Sequence, residues 1–272
     1  MYGLRDHYDL AFSIGGGCAC SQALRRAGMQ FASFPFDWAG VKQIPVKLQI
    51  LADDFKTLLS REQMVFVEPN TAKDKDIYLN QANGMRFLHD FPMGVPLEQS
   101  YDQVAEKYRR RADRLLALIA RSQQVLVAHV CIPSYEPHAD AEFLESYEII
   151  RRRFPAVEFD FLSISQKAGQ AFSGANVRQV AEHLFRVDFD YQSRGAETIG
   201  DERILAAALK QLVASVTDYR TPAEKAAYVK IRREKALAFY HARNRWELLV
   251  NKLNYKLMHH FQNRLERKGF KF

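Results

Sequence analysis

No run of about 18 or more apolar residues occurs anywhere in the 272-residue sequence, so no membrane-spanning helix is expected. Cysteine is scarce. Three residues, two of them in a Cys-x-Cys arrangement, do not make a disulfide scaffold. Metal-ligand spacings are missing too: there is no Cys-x-x-Cys, no His-x-x-x-His and no paired acidic loop, so no metal is expected. The first residues, Met1-Tyr2-Gly3-Leu4-Arg5-Asp6-His7, lack the apolar centre of a signal peptide. A cytoplasmic location is the resulting expectation. Internal repeats and low-complexity stretches are also lacking.

What is present is apolar material for a sizeable core, 47% of the residues. The net charge of +7 is concentrated at one end. Residues 221–272 hold 13 Lys/Arg against 4 Asp/Glu, while residues 1–220 carry a balance of −2. The body therefore gives no reason to expect nucleic acid as a partner. A boundary is expected at Thr221-Pro222, where Thr221 can cap a helix and Pro222 suits its first position. The division is thus an α/β catalytic domain, 1–220, and a basic amphipathic helical tail, 221–272. In the tail Trp246, Leu249, Val250, Leu253, Leu257, Phe261 and Leu265 share one helical face. Three readings stand: a terminal helix or hairpin packed on the core, an arm lying on a partner or an anionic membrane surface, or, least favoured, a nucleic-acid contact. A membrane arm would make the protein peripheral at the inner membrane face.

Strand-like apolar runs are expected at Asp9–Ile14, Met64–Glu68, Met85–His89, Gln124–Ile132 and Val157–Ser163. Helices are expected at Ala19–Ala27 (ending at Gly28), Tyr101–Ser122 (capped by Ser100 with Gln103), Ala139–Phe154, Asn176–Phe185 and Asp201–Ser215. Alternating strands and helices predict an α/β fold: a mostly parallel sheet with flanking helices, plus the basic helical C-terminal extension.

The chemistry points to Gly15-Gly16-Gly17-Cys18, between the first strand and the first helix. A thiolate is the nucleophilic form of cysteine, and a helix N-terminus stabilises it. Main-chain N–H groups around Gly16 and Gly17 offer an oxyanion hole. The turn fails as a phosphate loop, because it lacks Gly-Lys-Ser/Thr, and as a dinucleotide fingerprint, because it lacks the third glycine. Cys20, deeper in the helix, is a secondary nucleophile candidate. A cysteine nucleophile needs a base. His89 is favoured, since a histidine at the carboxyl end of a parallel strand faces the same crevice as Cys18. His129 is the secondary choice, mid-strand. Asp90 or Asp37 would orient the imidazole, although Asp90, adjacent to His89 on a strand, points the other way. Asp37 lies among aromatics in Phe34-Pro35-Phe36-Asp37-Trp38, either as a satisfied core carboxylate or as a site residue with a tuned pKa, and Trp38 is a further candidate. A structural thiol in a non-enzymatic binding module is the competing reading of Cys18.

Ser13-Ile14-Gly15-x-x-Cys18, Leu24-Arg25-Arg26-x-Gly28-Met29, Pro35-Phe36-Asp37-Trp38 and His89-Asp90 together resemble a bacterial family of papain-like cysteine peptidases. The likeness covers about the first 90 residues well and is loose beyond residue 124, where the family often has an arginine and this chain has Val127-Ala128-His129. It implies Cys18 as nucleophile and His89 as base, supported by Asp37 or Asp90, and implies no demonstrated substrate. A peptide, amide or glycan substrate, handled without a cofactor, is the expectation. Gly16-Gly17-Cys18 is also similar to the Gly-Asn-Cys turn of capsular polysaccharide-biosynthesis acetyltransferases, though it lacks the Asn. That likeness implies acyl transfer from CoA.

Overall fold

In the computed structural model, residues 3–15, 18–41, 43–131, 139–191 and 201–242 are described. The chain divides into two units, Met1–Asp218 and Tyr219–Phe272. In the first, β1 (His7–Tyr8) and β2 (Leu10–Ser13) lead into α1 (Cys18–Ala27). Then follow β3 (Ala39–Gly40), α2 (Ile44–Ala52), β4 (Met64–Asn70), β5 (Lys75–Asn80), β6 (Arg86–Pro92) and α3 (Leu97–Ile119). The second half holds β7 (Gln124–Val130), α4 (Asp140–Arg153), β8 (Glu158–Gln166), β9 (Val177–Ala181), β10 (Leu184–Phe189), α5 (Asp201–Leu212) and β11 (Ser215–Val216).

A five-stranded sheet in the order β2-β7-β8-β10-β9 forms the centre. Its pairs are parallel except for β9 on β10. Both faces are covered, which is why β7 reads as a continuous apolar run. On one face Leu126, Ala128 and Val130 of β7 pack with Cys20, Ala23 and Leu24 of α1 and Leu205, Ala208 and Leu209 of α5. On the other, Phe143 and Tyr147 of α4 meet Phe161 of β8 edge-on. The chain is therefore α/β with a mostly parallel central sheet. β1 pairs in parallel with β11.

A second, four-stranded sheet, β3-β6-β5-β4, is antiparallel throughout. The expected strands at 64–68 and 85–89 belong to it, with β5 between them, and not to the parallel sheet. The expected helix at 176–185 is instead the β9–β10 hairpin. Its apolar residues Val177, Val180, Ala181, Leu184 and Phe185 do fall at helical spacing. The open edge of β8 decides the matter, because it pairs in register with Leu184–Phe189. α3 begins at Leu97, so Ser100 lies inside it and donates its hydroxyl to Pro96 O and Leu97 O rather than capping.

α1 ends as expected. Met29 N–H donates to Leu24 O at 2.8 Å and Gly28 N–H to Arg25 O at 3.1 Å, the paired bonds of a Schellman cap. Gly28 sits at φ +79°, where glycine carries no Cβ penalty.

The second unit is described as α6 (Pro222–Ala242). Glu224 N–H donates to Thr221 Oγ1 at 3.2 Å and Thr221 N–H to the Glu224 carboxylate at 2.8 Å, a capping box that starts the helix. The tail's expected apolar face, from Trp246 to Leu265, lies outside the described residues. Among the described residues no helix is long and apolar enough to cross a membrane.

Candidate active site

The first parallel strand delivers the chain to this region. Ile14 N–H donates to Ala128 O at 3.0 Å, and Val130 N–H donates to Gly15 O at 3.3 Å, so the turn is tied to the carboxyl end of β7. Gly15 adopts φ +101°. Gly16 and Gly17, the expected oxyanion donors, lie outside the described residues. Cys18 then opens α1, partly exposed, where the first N–H groups of a helix have no intrahelical partner.

The other two thiols differ. Cys20 and Cys131 are buried. Cys20 donates to Ala128 O at 3.5 Å, and burial pushes its thiol up to about 12. It is a packing residue of the core at neutral pH.

Asp37 is 1% exposed and saturated with donors. Arg25 of α1 forms an ion pair with it, Gln30 Nε2 donates to both oxygens at 2.9 and 3.1 Å, and Phe34 N–H donates at 2.9 Å. Burial raises its carboxyl above the ordinary range, and the Arg25 charge opposes that rise. The aromatic box is thus a satisfied carboxylate that bolts the segment 30–37 to α1. No hydrogen bond joins Asp37 to His89 among the described residues.

Asp90 is likewise engaged elsewhere. It accepts from Tyr108 Oη at 2.7 Å and pairs with Lys107 of α3. Strand alternation puts His89 on the opposite face of β6. Neither expected carboxylate therefore holds the imidazole.

His89 is held by an aromatic instead. The Trp38 indole meets its ring edge-on at 5.8 Å between centroids. Arg25, already paired with Asp37, lies over the same indole at 5.6 Å. Cys18 and Arg25 are seven residues apart, about two turns, and so share a face of α1. The contacts run from that face through Trp38 to His89. His89 reaches this position from the middle of an antiparallel strand, not from the end of a parallel one, so the crevice argument from the sequence does not apply to it. Among the described residues neither ring nitrogen makes a hydrogen bond. Burial pulls its pKa below the ordinary imidazole value. Asp90 opposes the shift and Lys73 adds to it.

His129 is 2% exposed, with its ring edge against Phe143 of α4 at 5.6 Å. It projects from the sheet face opposite α1, since its neighbours Ala128 and Val130 take the α1 side. Among the described residues no group of three His, Cys, Asp or Glu side chains is placed to hold a metal ion.

Two residues carry more than sequence reasoning assigned them. Arg25 was visible only as part of a motif. Lys47 of α2, 3% exposed, brings its ammonium to the Gly15 turn. Its signal was a lysine on the apolar stripe Ile44, Leu48, Leu51.

An uncharacterized protein of Acanthamoeba polyphaga mimivirus is 26% identical over 132 residues, which cover 43% of this chain and 59% of that protein. This relative is viral, whereas the sequence likeness was to a bacterial family. No solved structure matches the chain. The profile of the family described as "putative papain-like cysteine peptidase" matches residues 9–169, more than half of the chain and the whole stretch from β2 to the end of β8, and the chain belongs to that family.

Proposed function

We propose that the protein is a cysteine-dependent acyl enzyme, a papain-like peptidase or amide hydrolase. The observation that carries this reading is the contrast among the three thiols. Cys18 alone is partly exposed, and it alone opens a helix after a glycine turn. In the proposed reaction the Cys18 thiolate attacks the substrate carbonyl. His89 takes up the thiol proton and returns it to the leaving group. The pair works as a dyad whose imidazole is oriented by packing against Trp38. Water then releases the acyl group from sulfur.

Intact-mass analysis after limited iodoacetamide treatment tests the first step. A single adduct at Cys18 is expected, because Cys20 and Cys131 are buried. Cys18→Ala should abolish turnover of a peptide or amide library. Full turnover by that variant would end the proposal. Turnover that appears only with acetyl-CoA and a hydroxyl acceptor would move the reaction to acyl transfer.

A further inference from the structure

Among the described residues Lys47 makes no hydrogen bond and no ion pair, although it is 3% exposed. An ammonium taken out of water is costly to a fold unless something compensates it. Its charge is not directed at a carboxylate. Nζ lies 3.0 Å from the point where a Cβ would stand on Gly15. The absence of a side chain at Gly15 is what makes room for it. The Cys20 thiol interacts with that charge, but it stays protonated at neutral pH and so does not balance it. Burial lowers Lys47 to about 8, so most of the population is still cationic at pH 7.

Three residues after Gly15 the ten-residue helix α1 begins. Its first N–H groups and the positive end of its dipole also favour negative charge. A helix N-terminus and a buried lysine with no counter-ion among the described residues thus lie at the two ends of the short Gly15–Cys18 stretch, which ends in the partly exposed thiol. We propose that Lys47 and the first turn of α1 form an anion site beside Cys18, and that it receives a carboxylate of the substrate. The assignment rests on the reading of Cys18 as the nucleophile. It adds a substrate class: acyl compounds carrying a carboxylate close to the scissile bond.

Two alkylating reagents of nearly equal size test it on the full chain. Iodoacetate carries a carboxylate and iodoacetamide does not. In both, the thiolate forms an S–C bond and iodide leaves. The rate ratio, iodoacetate over iodoacetamide, should exceed that of free cysteine by about tenfold, the worth of one charge-assisted hydrogen bond. Lys47→Met should return it to the free-cysteine ratio. A wild-type ratio no higher than free cysteine, with Cys18 still reactive to iodoacetamide, overturns the anion site alone. A high ratio that survives Lys47→Met does the same. A Cys18 inert to both reagents overturns the nucleophile reading and this site with it. Should Lys47→Met fail to fold, acetate decides on the wild type. At constant ionic strength against chloride it should slow carbamidomethylation several-fold, and no slowing overturns the site.

Discussion

Gly15 sits at φ +101° with the Lys47 ammonium over it, so an alanine there would meet two obstacles at once. The left-handed backbone alone costs an L-residue about 1–2 kcal/mol. The new methyl would also displace Nζ. Gly15→Ala should therefore lower stability in urea by at least that amount and lose the iodoacetate preference. Gly28, at φ +79° with open space around the position of a side chain, separates the two effects. Gly28→Ala should cost a similar backbone increment and leave Cys18 reactivity unchanged. His89 supplies a second prediction. Burial depresses its pKa, so the neutral base persists below the ordinary value of about 6.5. An NMR titration should place its midpoint under that value. Between the two values the unfolded chain binds the proton more readily, so this residue's contribution to stability rises with pH across that window. A midpoint above the ordinary value would contradict both statements.

The Asp37 anchor ties the segment before α2 to α1 through the Arg25 ion pair, while three further donor contacts, from Gln30 and Phe34, brace Asp37 within its own segment. Removing either partner has unequal consequences. Arg25→Met leaves a carboxylate that is 1% exposed without its cation, a loss of about 3–5 kcal/mol by analogy with other buried pairs. Asp37→Asn keeps an acceptor for Phe34 N–H, and the Arg25 side chain, 23% exposed, can turn to water. Urea denaturation should rank Arg25→Met as the more damaging change. Arg25→Met should also loosen Trp38 and, through it, His89. At this scale the sequence was legible where structure is local. α1 with its Gly28 stop, α4 and α5 follow from apolar spacing and termination signals within the segments themselves. β9 and β10 were not legible. Their apolar spacing is helical, and only the unpaired edge of β8, contributed by residues 158–166, turns them into strands. Asp37 was visible as a carboxylate among aromatics, but its partners Arg25 and Gln30 come from outside that box.

For the whole molecule, the main core cluster lies between Leu4 and Val216, within the first unit. A chain ending at 218 should accordingly fold and keep a labelled Cys18. We propose that residues 221–272, with 13 basic residues against 4 acidic, bind an anionic membrane surface. Full-length protein should co-sediment with anionic vesicles at low salt and be released at high salt, whereas the shortened chain should remain in solution. Equal sedimentation of both would remove the membrane from the proposal.

Taken by itself, the sequence determined the α/β class, the helical stops and the thiol after the glycine turn. All three depend on residues close together in the chain. The surroundings of the candidate partners of that thiol were decided only in three dimensions. His89 arrives on an antiparallel sheet, Asp37 is consumed by Arg25, Asp90 by Tyr108 and Lys107, and Lys47 enters from α2 over Gly15. Each of these is a contact between segments distant in sequence. Side-chain roles there depend on which donors and acceptors lie within bonding distance, and only the packed chain sets those distances.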